Sequence, residues 1–503
     1  MWTSLFLAAA LDARVAAVQK QYDQHDAHRL IPMLTEVLRF PTVQYDTEAR
    51  EAQKRWLEKA ARELGLEYRD AGLVAEVELP GPAGAPVLGL MVHGDVQPVD
   101  AAAWSFPPFE AKVADGYVYG RGSADDKGPL VQALLAMHAL RASGIARTHT
   151  VRLLVGSDEE SDNKDVKSYL ETNKPPDYTL VLDSDFPVVV GEKAWNSLTV
   201  TAPNVGRTLS PSGRVGEPVP HDKPYTVTGL QAGLSPSIVP DHAVLTLRWK
   251  AGSPDWGPLQ EELLAAKMPA GTRLVAGATN DTMRIVAYGK SAHAGVNLEG
   301  GRNALVALAN AVAGKLPEGG VNDLLAFARM AGKDFSGSGL GITQNDPLWG
   351  QYAVNVATIK DGMLTINIRR IPPRTGPQLK ADLDKLVADF NQRAGASLAA
   401  GGFYDDEPLA FDPRGKLVRR LLADYAAATG KKNPKPSISG GGTYAKRLPN
   451  SIAFGMWFPD KAYPGHDVDE KNPIADLQKG TRVLIRALVD IATGPRIVEA
   501  FKP

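Results

Sequence analysis

Pro86-Val-Leu-Gly-Leu-Met-Val92 runs directly into His93-Gly94-Asp95. Seven residues without a charge, bounded by turn formers, match a strand buried on both faces. Thr150-Val-Arg-Leu-Leu-Val155 and Tyr178-Thr-Leu-Val-Leu182 repeat the pattern. Between the first two, Pro129 precedes Leu130-Val-Gln-Ala-Leu-Leu-Ala-Met-His-Ala-Leu140, a helix apolar nearly all round. Proline suits its first turn, and its lack of a polar face predicts burial. Strand, helix and strand in alternation predict an α/β fold with a largely parallel sheet flanked by helices.

Outward from this stretch, helices are expected at about Ala27–Arg39 and from Thr47 to Leu64, the latter stopped by Gly65. Near Ala194 the texture changes. Strand candidates Leu198–Thr201, Ala243–Trp249, Arg284–Ala287, Ala353–Thr358 and Leu364–Arg370 alternate with proline- and glycine-broken segments and two helices, Asn303–Lys315 and Pro377–Arg393. This predicts an inserted α+β domain. The α/β texture returns with helix Lys416–Ala428, strand Ile452–Trp457 and helix Ile474–Ala492. The expected domains are 1–196 and 406–503 together, interrupted by 197–405.

The 503 residues suffice for two or three domains, and 44% hydrophobic with 22% charged residues excludes disorder. With 56 Lys and Arg against 57 Asp and Glu, nothing favours nucleic acid or an anionic membrane as partner. The absence of cysteine leaves His, Asp and Glu as metal ligands. No run reaches the ~20 apolar residues of a membrane span. Leu5–Leu11 is apolar and Ala13–Ala17 offers small residues, the outline of an export signal to the periplasm or beyond. No basic residue precedes that run, and the competing reading is an amphipathic helix of a cytoplasmic protein.

Polar residues gather where the apolar strands end, the ligand-binding edge of an open α/β sheet. They are His93-Gly-Asp95, Asp158-Glu159-Glu160 and Asp183-Ser-Asp185, joined by Gly120-Arg-Gly-Ser-Ala-Asp125-Asp126-Lys-Gly128 and Pro464-Gly-His466. Each alone reads as a solvated turn. Their convergence on one sheet edge is harder to dismiss.

These motifs, with Asp-Asp-Lys-Gly-Pro129, Asp183-Ser-Asp-Phe-Pro187 and Gly440-Gly-Gly-Thr-Tyr444, stand in the order seen in the two-zinc exopeptidases. That family includes carnosinases, aminoacylases and bacterial glutamate carboxypeptidases. The chain most resembles its bacterial carnosinase-like dipeptidases, from about Leu30 to Leu488. The resemblance implies one zinc on His93, Asp125 and Asp183 and another on Asp125, Glu160 and His466, with manganese or cobalt also compatible with these ligands. It further implies a hydroxide shared by the two ions, Glu159 as general base and acid, and a cis Asp125–Asp126 peptide. Asp95, two residues after His93 on the same strand face, is expected to accept a hydrogen bond from the His93 imidazole.

The remaining histidines divide. His293, in Gly289-Lys-Ser-Ala-His293-Ala-Gly295, resembles the family's lid-domain histidine, which polarises the scissile carbonyl. His25, His28, His138, His149, His221 and His242 have no supporting cluster and read as surface or core residues. Arg369 matches the lid arginine, suited to grip a peptide carboxylate, with Arg370 on the opposite strand face. Gly440, Gly441, Gly442 and Thr443 could present backbone N–H groups to the same carboxylate. Ser237 stands where related dipeptidases often carry an amide, ahead of Ile238-Val239-Pro240. An insert of roughly 200 residues exceeds one ordinary lid, resembling the doubled lid of monomeric dipeptidases. The expectation is a monomeric dipeptidase acting on dipeptides or very short peptides. The alternatives are an N-acyl-amino-acid deacylase or carboxypeptidase with the same machinery, and a non-catalytic peptide- or metal-binding protein.

Overall fold

The computed structural model describes residues 2–44, 46–202 and 223–497. His221 lies outside the described residues. The chain forms two compact units, Met1–Glu192 with Leu409–Pro503, and Lys193–Pro408.

The first unit is built on a six-stranded sheet. Its strands are β1 (Glu67–Ala71), β2 (Val74–Leu79), β3 (Val87–His93), β4 (Thr150–Gly156), β5 (Tyr178–Val181) and the short strand Ser451–Ala453. Their order is β1-β2-β4-β3-β5 followed by Ser451–Ala453. β3 lies parallel to β4 and β5, and β5 parallel to Ser451–Ala453. β1 and β2 add an antiparallel edge. β3 is apolar throughout because it is central and covered on both faces. Leu88, Leu90 and Val92 enter the core shared with helix α2 (Lys127–Ala142), while Met91 enters a second core with Val166 and Tyr169 of the helix Lys164–Thr172. Successive side chains of a strand point to opposite faces, so one strand serves two cores. Each fully buried aliphatic side chain contributes about 1.5–3 kcal/mol.

The same core takes residues from α1 (Trp2–His25) and α3 (Ile474–Thr493). α1 runs unbroken through the expected cleavage region, and its Val15, Val18 and Tyr22 are buried. Among the described residues no helix is long and apolar enough to cross a membrane. The expected strand Ile452–Trp457 is divided. Met456–Trp457 pairs with Ser184–Asp185 instead, because the chain turns at Gly455 with φ 75°.

The second unit holds an eight-stranded antiparallel sheet. Its strands are β6 (Ala194–Thr201), β7 (Tyr225–Ala232), β8 (His242–Trp249), β9 (Arg273–Thr279), β10 (Thr282–Tyr288), β11 (Ala353–Lys360), β12 (Met363–Arg370) and β13 (Ala399–Asp406). The order is β9-β10-β8-β7-β11-β12-β6-β13. Two four-stranded groups meet where β7 pairs β11 through Ala232 and Ile359. One face carries Leu198, Val200, Leu245, Ile285, Val356 and Ile366 into a core with the helices Ala304–Ala311, Gly320–Ala331 and Gly376–Ala394. Strands β7, β9 and β13 escape a sequence reading for a physical reason: β9 and β13 are half-exposed edges, and β7 is interrupted by a bulge at Thr228. The helix Gly320–Ala331 did leave a signal, with Leu324, Leu325, Phe327, Ala328 and Ala331 on its buried side.

Candidate functional site

In the first unit, His93, Asp125, Glu160, Asp183 and His466 meet at the C-terminal ends of β3, β4 and β5. Asp125 is central. Its Oδ1 lies 2.8 Å from His93 Nε2 and its Oδ2 3.2 Å from His466 Nε2. His466 Nε2 is also 3.0 Å from Glu160 Oε1, and His93 Nε2 is 3.8 Å from Asp183 Oδ2. The Asp125–Asp126 peptide is cis. His466 reaches the cluster from a left-handed backbone position with φ 66°, a conformation that non-glycine residues hold only where the surroundings enforce it.

The electrostatics follow from burying so many acids together. Burial, then the neighbouring Asp126 and Asp125, push the Asp183 carboxyl well above the usual range. Burial and Asp183 do the same to Glu159. Burial alone would raise Asp125 too, but its hydrogen bonds to His466 and His93 hold it well below the usual range. Burial works against a charged His466, yet Glu160 and Asp125 push it up to about 10. Protons here offset a surplus of negative charge that cations would otherwise neutralise. Two imidazoles and three carboxylates, with one carboxylate shared, are a donor set suited to a pair of divalent cations of the zinc type. Ligand atoms of His93, Asp125 and Glu160, and likewise of His93, Asp126 and Asp183, lie within 4.8 Å of one another. Asp126 is therefore a further carboxylate at the site, and its Oδ2 accepts the His93 N–H at 3.1 Å.

Asp95 does something other than expected. His93 Nδ1 is bonded to the main-chain carbonyl of Asp95 at 2.9 Å, whereas the Asp95 carboxylate stands 3.6 Å from that ring nitrogen. The latter is a charge contact, too long for a hydrogen bond. The carboxylate instead accepts the N–H groups of Glu159 and Glu160, at 3.2 and 3.0 Å. The carboxylate stays on the imidazole's side, as the same-face rule expects, but its oxygens are committed to the Glu159 and Glu160 N–H groups.

Two positioning residues take roles the sequence did not assign: Gln97, and Glu470 from the cluster that follows His466. Glu470, fully buried, accepts from Arg121 Nη1 at 2.8 Å and from the N–H groups of Gly122, Ala124 and Asp125 at 3.1, 2.8 and 3.2 Å. It buckles the loop that carries Asp125 to the segment that carries His466. Gln97 donates to Glu160 Oε2 at 2.9 Å and so orients that carboxylate. His466 and Glu470 sit four residues apart, a spacing that signals nothing in a loop.

The glycine loop is partly spent inside the first unit. Thr443 N–H and Oγ both bond the buried Glu192, at 3.0 and 2.7 Å, and Gly441 N–H donates to Ser439 Oγ at 3.0 Å. Thr443 and Gly441 are thus corrected from carboxylate donors to residues that shape the loop.

In the second unit, Arg369 and His293 are tied through one segment. Arg369 is buried, its Nε donating to Asn367 Oδ1 at 3.0 Å and its Nη2 reaching Ser237 Oγ at 3.4 Å. Trp195 Nε1 donates to the same hydroxyl at 3.2 Å. Ile238, next to Ser237, forms a β-bridge with His293. His293 Nδ1 accepts the N–H groups of Gly295 and Val296, each at 3.0 Å. A ring nitrogen that accepts twice carries no proton, so Nε2 holds the hydrogen and His293 is a donor there. Arg370 instead joins Asp405, Glu407 and Asn196 within the second unit. Of the other histidines, His138 bonds Asp26 at 2.7 Å and His149 is buried, while His242 lies 3.1 Å from Asp241.

Comparison with known proteins places the chain in a family. The model of the peptidase family M20/M25/M40 matches residues 89–490. A Bacillus subtilis (strain 168) protein named "Putative dipeptidase YtjP" is 28% identical over 419 residues, 81% of this chain and 84% of that protein. A Staphylococcus epidermidis protein with the same dipeptidase designation is 26% identical over 412 residues, 80% and 83% of the two chains. Human carnosine dipeptidase 1 shares the fold, with TM-score 0.54 at 14% identity over 94% of this chain and 99% of that one. The Saccharomyces cerevisiae di-peptidase Dug1p does so equally, with TM-score 0.54 at 14% identity over 94% and 98%.

Proposed function

The chain belongs to the peptidase family M20/M25/M40, and from that premise we propose that it is a metal-dependent dipeptidase cleaving dipeptides or very short peptides. The observation that carries the proposal is Asp125, whose two carboxylate oxygens face His93 and His466 separately. That arrangement suits a carboxylate bridging two metal ions. His93, Asp125 and Asp183 would hold one ion, and Asp125, Glu160 and His466 the other. Two divalent cations there would bring the pKa of water toward about 7 and draw electrons from the scissile carbonyl.

The chain's own residues supply the rest. Glu159, its backbone pinned by Asp95, takes the proton of the attacking water and passes it to the leaving nitrogen. In this reading His293 donates its Nε2 hydrogen to the carbonyl oxygen as charge develops there. Arg369 grips the α-carboxylate, with the Gly442 N–H as a second donor. We further propose that the protein is a monomer and that His293 acts on its own chain. Light scattering showing an obligate dimer would overturn this. Export is one reading of Leu5–Leu11 and a retained N-terminal helix of a cytoplasmic protein the other; N-terminal sequencing of the native protein separates them.

The deciding experiment is a hydrolysis screen of dipeptides, tripeptides and N-acetyl amino acids against protein reconstituted with zinc, manganese or cobalt. Turnover confined to dipeptides and the shortest peptides supports the proposal. Turnover of N-acetyl amino acids alone reassigns the chain as a deacylase. Metal uptake without turnover of any substrate would leave a binding protein.

A further inference from the structure

The loop Ser157–Glu160 carries four consecutive backbone N–H groups, and two buried carboxylates take all of them. Asp95 takes those of Glu159 and Glu160. Asp165 Oδ2 takes those of Ser157 and Asp158, at 2.7 and 3.0 Å. Asp165 lies in the first turn of the helix Lys164–Thr172 and is fully buried, with its Oδ1 on the Val166 N–H at 2.6 Å. One further donor reaches Oδ2, the hydroxyl of Tyr444.

Tyr444 is no ordinary neighbour of that loop. It follows Gly440, Gly441, Gly442 and Thr443 directly, and Thr443 is locked to Glu192. Its ring is fully buried in the core that contains Met91, Leu154, Val166 and Ala453. A ring packed in this way is a rigid strut. Gly156, the last residue of β4, leaves the room that the contact needs: a Cβ there would collide with both the Tyr444 hydroxyl and Asp165 Oδ2. The strand end is thus shaped around this one hydrogen bond.

We propose that Tyr444 and Asp165 form a positioning pair that sets the Glu159 loop against the glycine-rich loop, so that the base keeps its place relative to the segment assigned to the substrate carboxylate. The inference rests on Glu159 being the base. Neither residue touches substrate. The pair acts through the main chain of Ser157 and Asp158 and bonds none of the five proposed metal ligands directly. A misplacement of about 1 Å at a reacting group typically costs about 10²-fold in rate, and loss of a single hydrogen bond permits part of that.

The test is Tyr444→Phe in the full, metal-reconstituted chain, assayed on a dipeptide that the wild type hydrolyses, at a temperature well below the Tm of both proteins. The expected result is a fall in kcat of roughly tenfold, with KM within about twofold and metal content unchanged. Asp165→Asn, which keeps the volume and removes one acceptor, is expected to move kcat in the same direction and carries the test if the phenylalanine variant does not fold. Wild-type kcat in the soluble variants, with only Tm lowered, would reduce the pair to a structural contact and overturn the proposal. Glu159→Gln is measured alongside. Turnover retained in that variant refutes the base, whereas an inactive Glu159→Gln beside a fully active Tyr444→Phe refutes the positioning pair alone.

Discussion

Asp95 Oδ2 accepts the backbone N–H of Glu160 at 3.0 Å, so the residue two beyond one proposed metal ligand holds the main chain of another. Its second oxygen accepts from Glu159 in the same way. The end of β3 and the end of β4 are thereby one unit: where His93 goes, the proposed base goes too.

This arrangement makes Asp95→Asn informative. The His93 imidazole is oriented by a main-chain carbonyl and keeps that partner in the variant. Metal content should therefore stay near wild type, while kcat falls by about 10²-fold as the Glu159 loop loses one of its acceptors. If the carboxylate acted on the imidazole instead, metal affinity would drop by about 10–100-fold. Metal analysis beside kcat separates the two.

Glu159→Gln removes the proton carrier and none of the five proposed ligands. Turnover should fall by about 10²–10⁴-fold, the range general acid–base catalysis supplies, with metal stoichiometry intact. Retained kcat in the metal-loaded variant would remove Glu159 from the mechanism.

Arg369→Met should weaken binding of a dipeptide with a free carboxylate by about 10–100-fold, the worth of a charge-assisted hydrogen bond of about 1.5–3 kcal/mol. A dipeptide amide lacks the charge that Arg369 would grip, so the same substitution should leave its kcat/KM nearly unchanged. Equal losses on both substrates would show that Arg369 only supports the fold, through Asn367 and Ser237.

His149 supplies a pH test remote from the site. Burial lowers its pKa, with a hydrogen bond to the Ala492 backbone and Asp177 opposing and Arg420 and Arg496 adding to the effect. The unfolded chain then takes up a proton before the folded one, so stability is full above the unfolded pKa of about 6.5 and declines as pH falls below it. His149→Phe keeps the ring that packs edge-on against Tyr178 and removes the titration. Its Tm should decline less than that of the wild type between pH 7 and pH 5. Parallel declines would show that other groups set the acid sensitivity.

Much of the first unit was legible in the sequence because β3, β4 and β5 are central. A strand covered on both faces must be apolar along its length, and Val87–His93 advertises that burial without any structure. The second unit was less legible. Strand β13 reads Ala-Ala-Gly-Gly-Phe-Tyr-Asp-Asp, an edge with little to bury and so little pattern to see.

By itself the sequence determined which residue types stand at the strand ends, and hence that His93, Glu159, Glu160 and Asp183 belong to one edge of one sheet, while Asp125 joined them through the resemblance to the two-zinc exopeptidases. Period and composition carry that information, since burial constrains every residue of a central strand. Only the tertiary structure decided what each polar group bonds to. Asp95, beside the imidazole, bonds the Glu159–Glu160 main chain, Glu470 closes on three N–H groups of the Asp125 loop, and Glu192 takes Thr443. A short carboxylate bonds whichever donor lies within about 3 Å, and that donor comes from a loop distant in sequence. No local pattern encodes that distance.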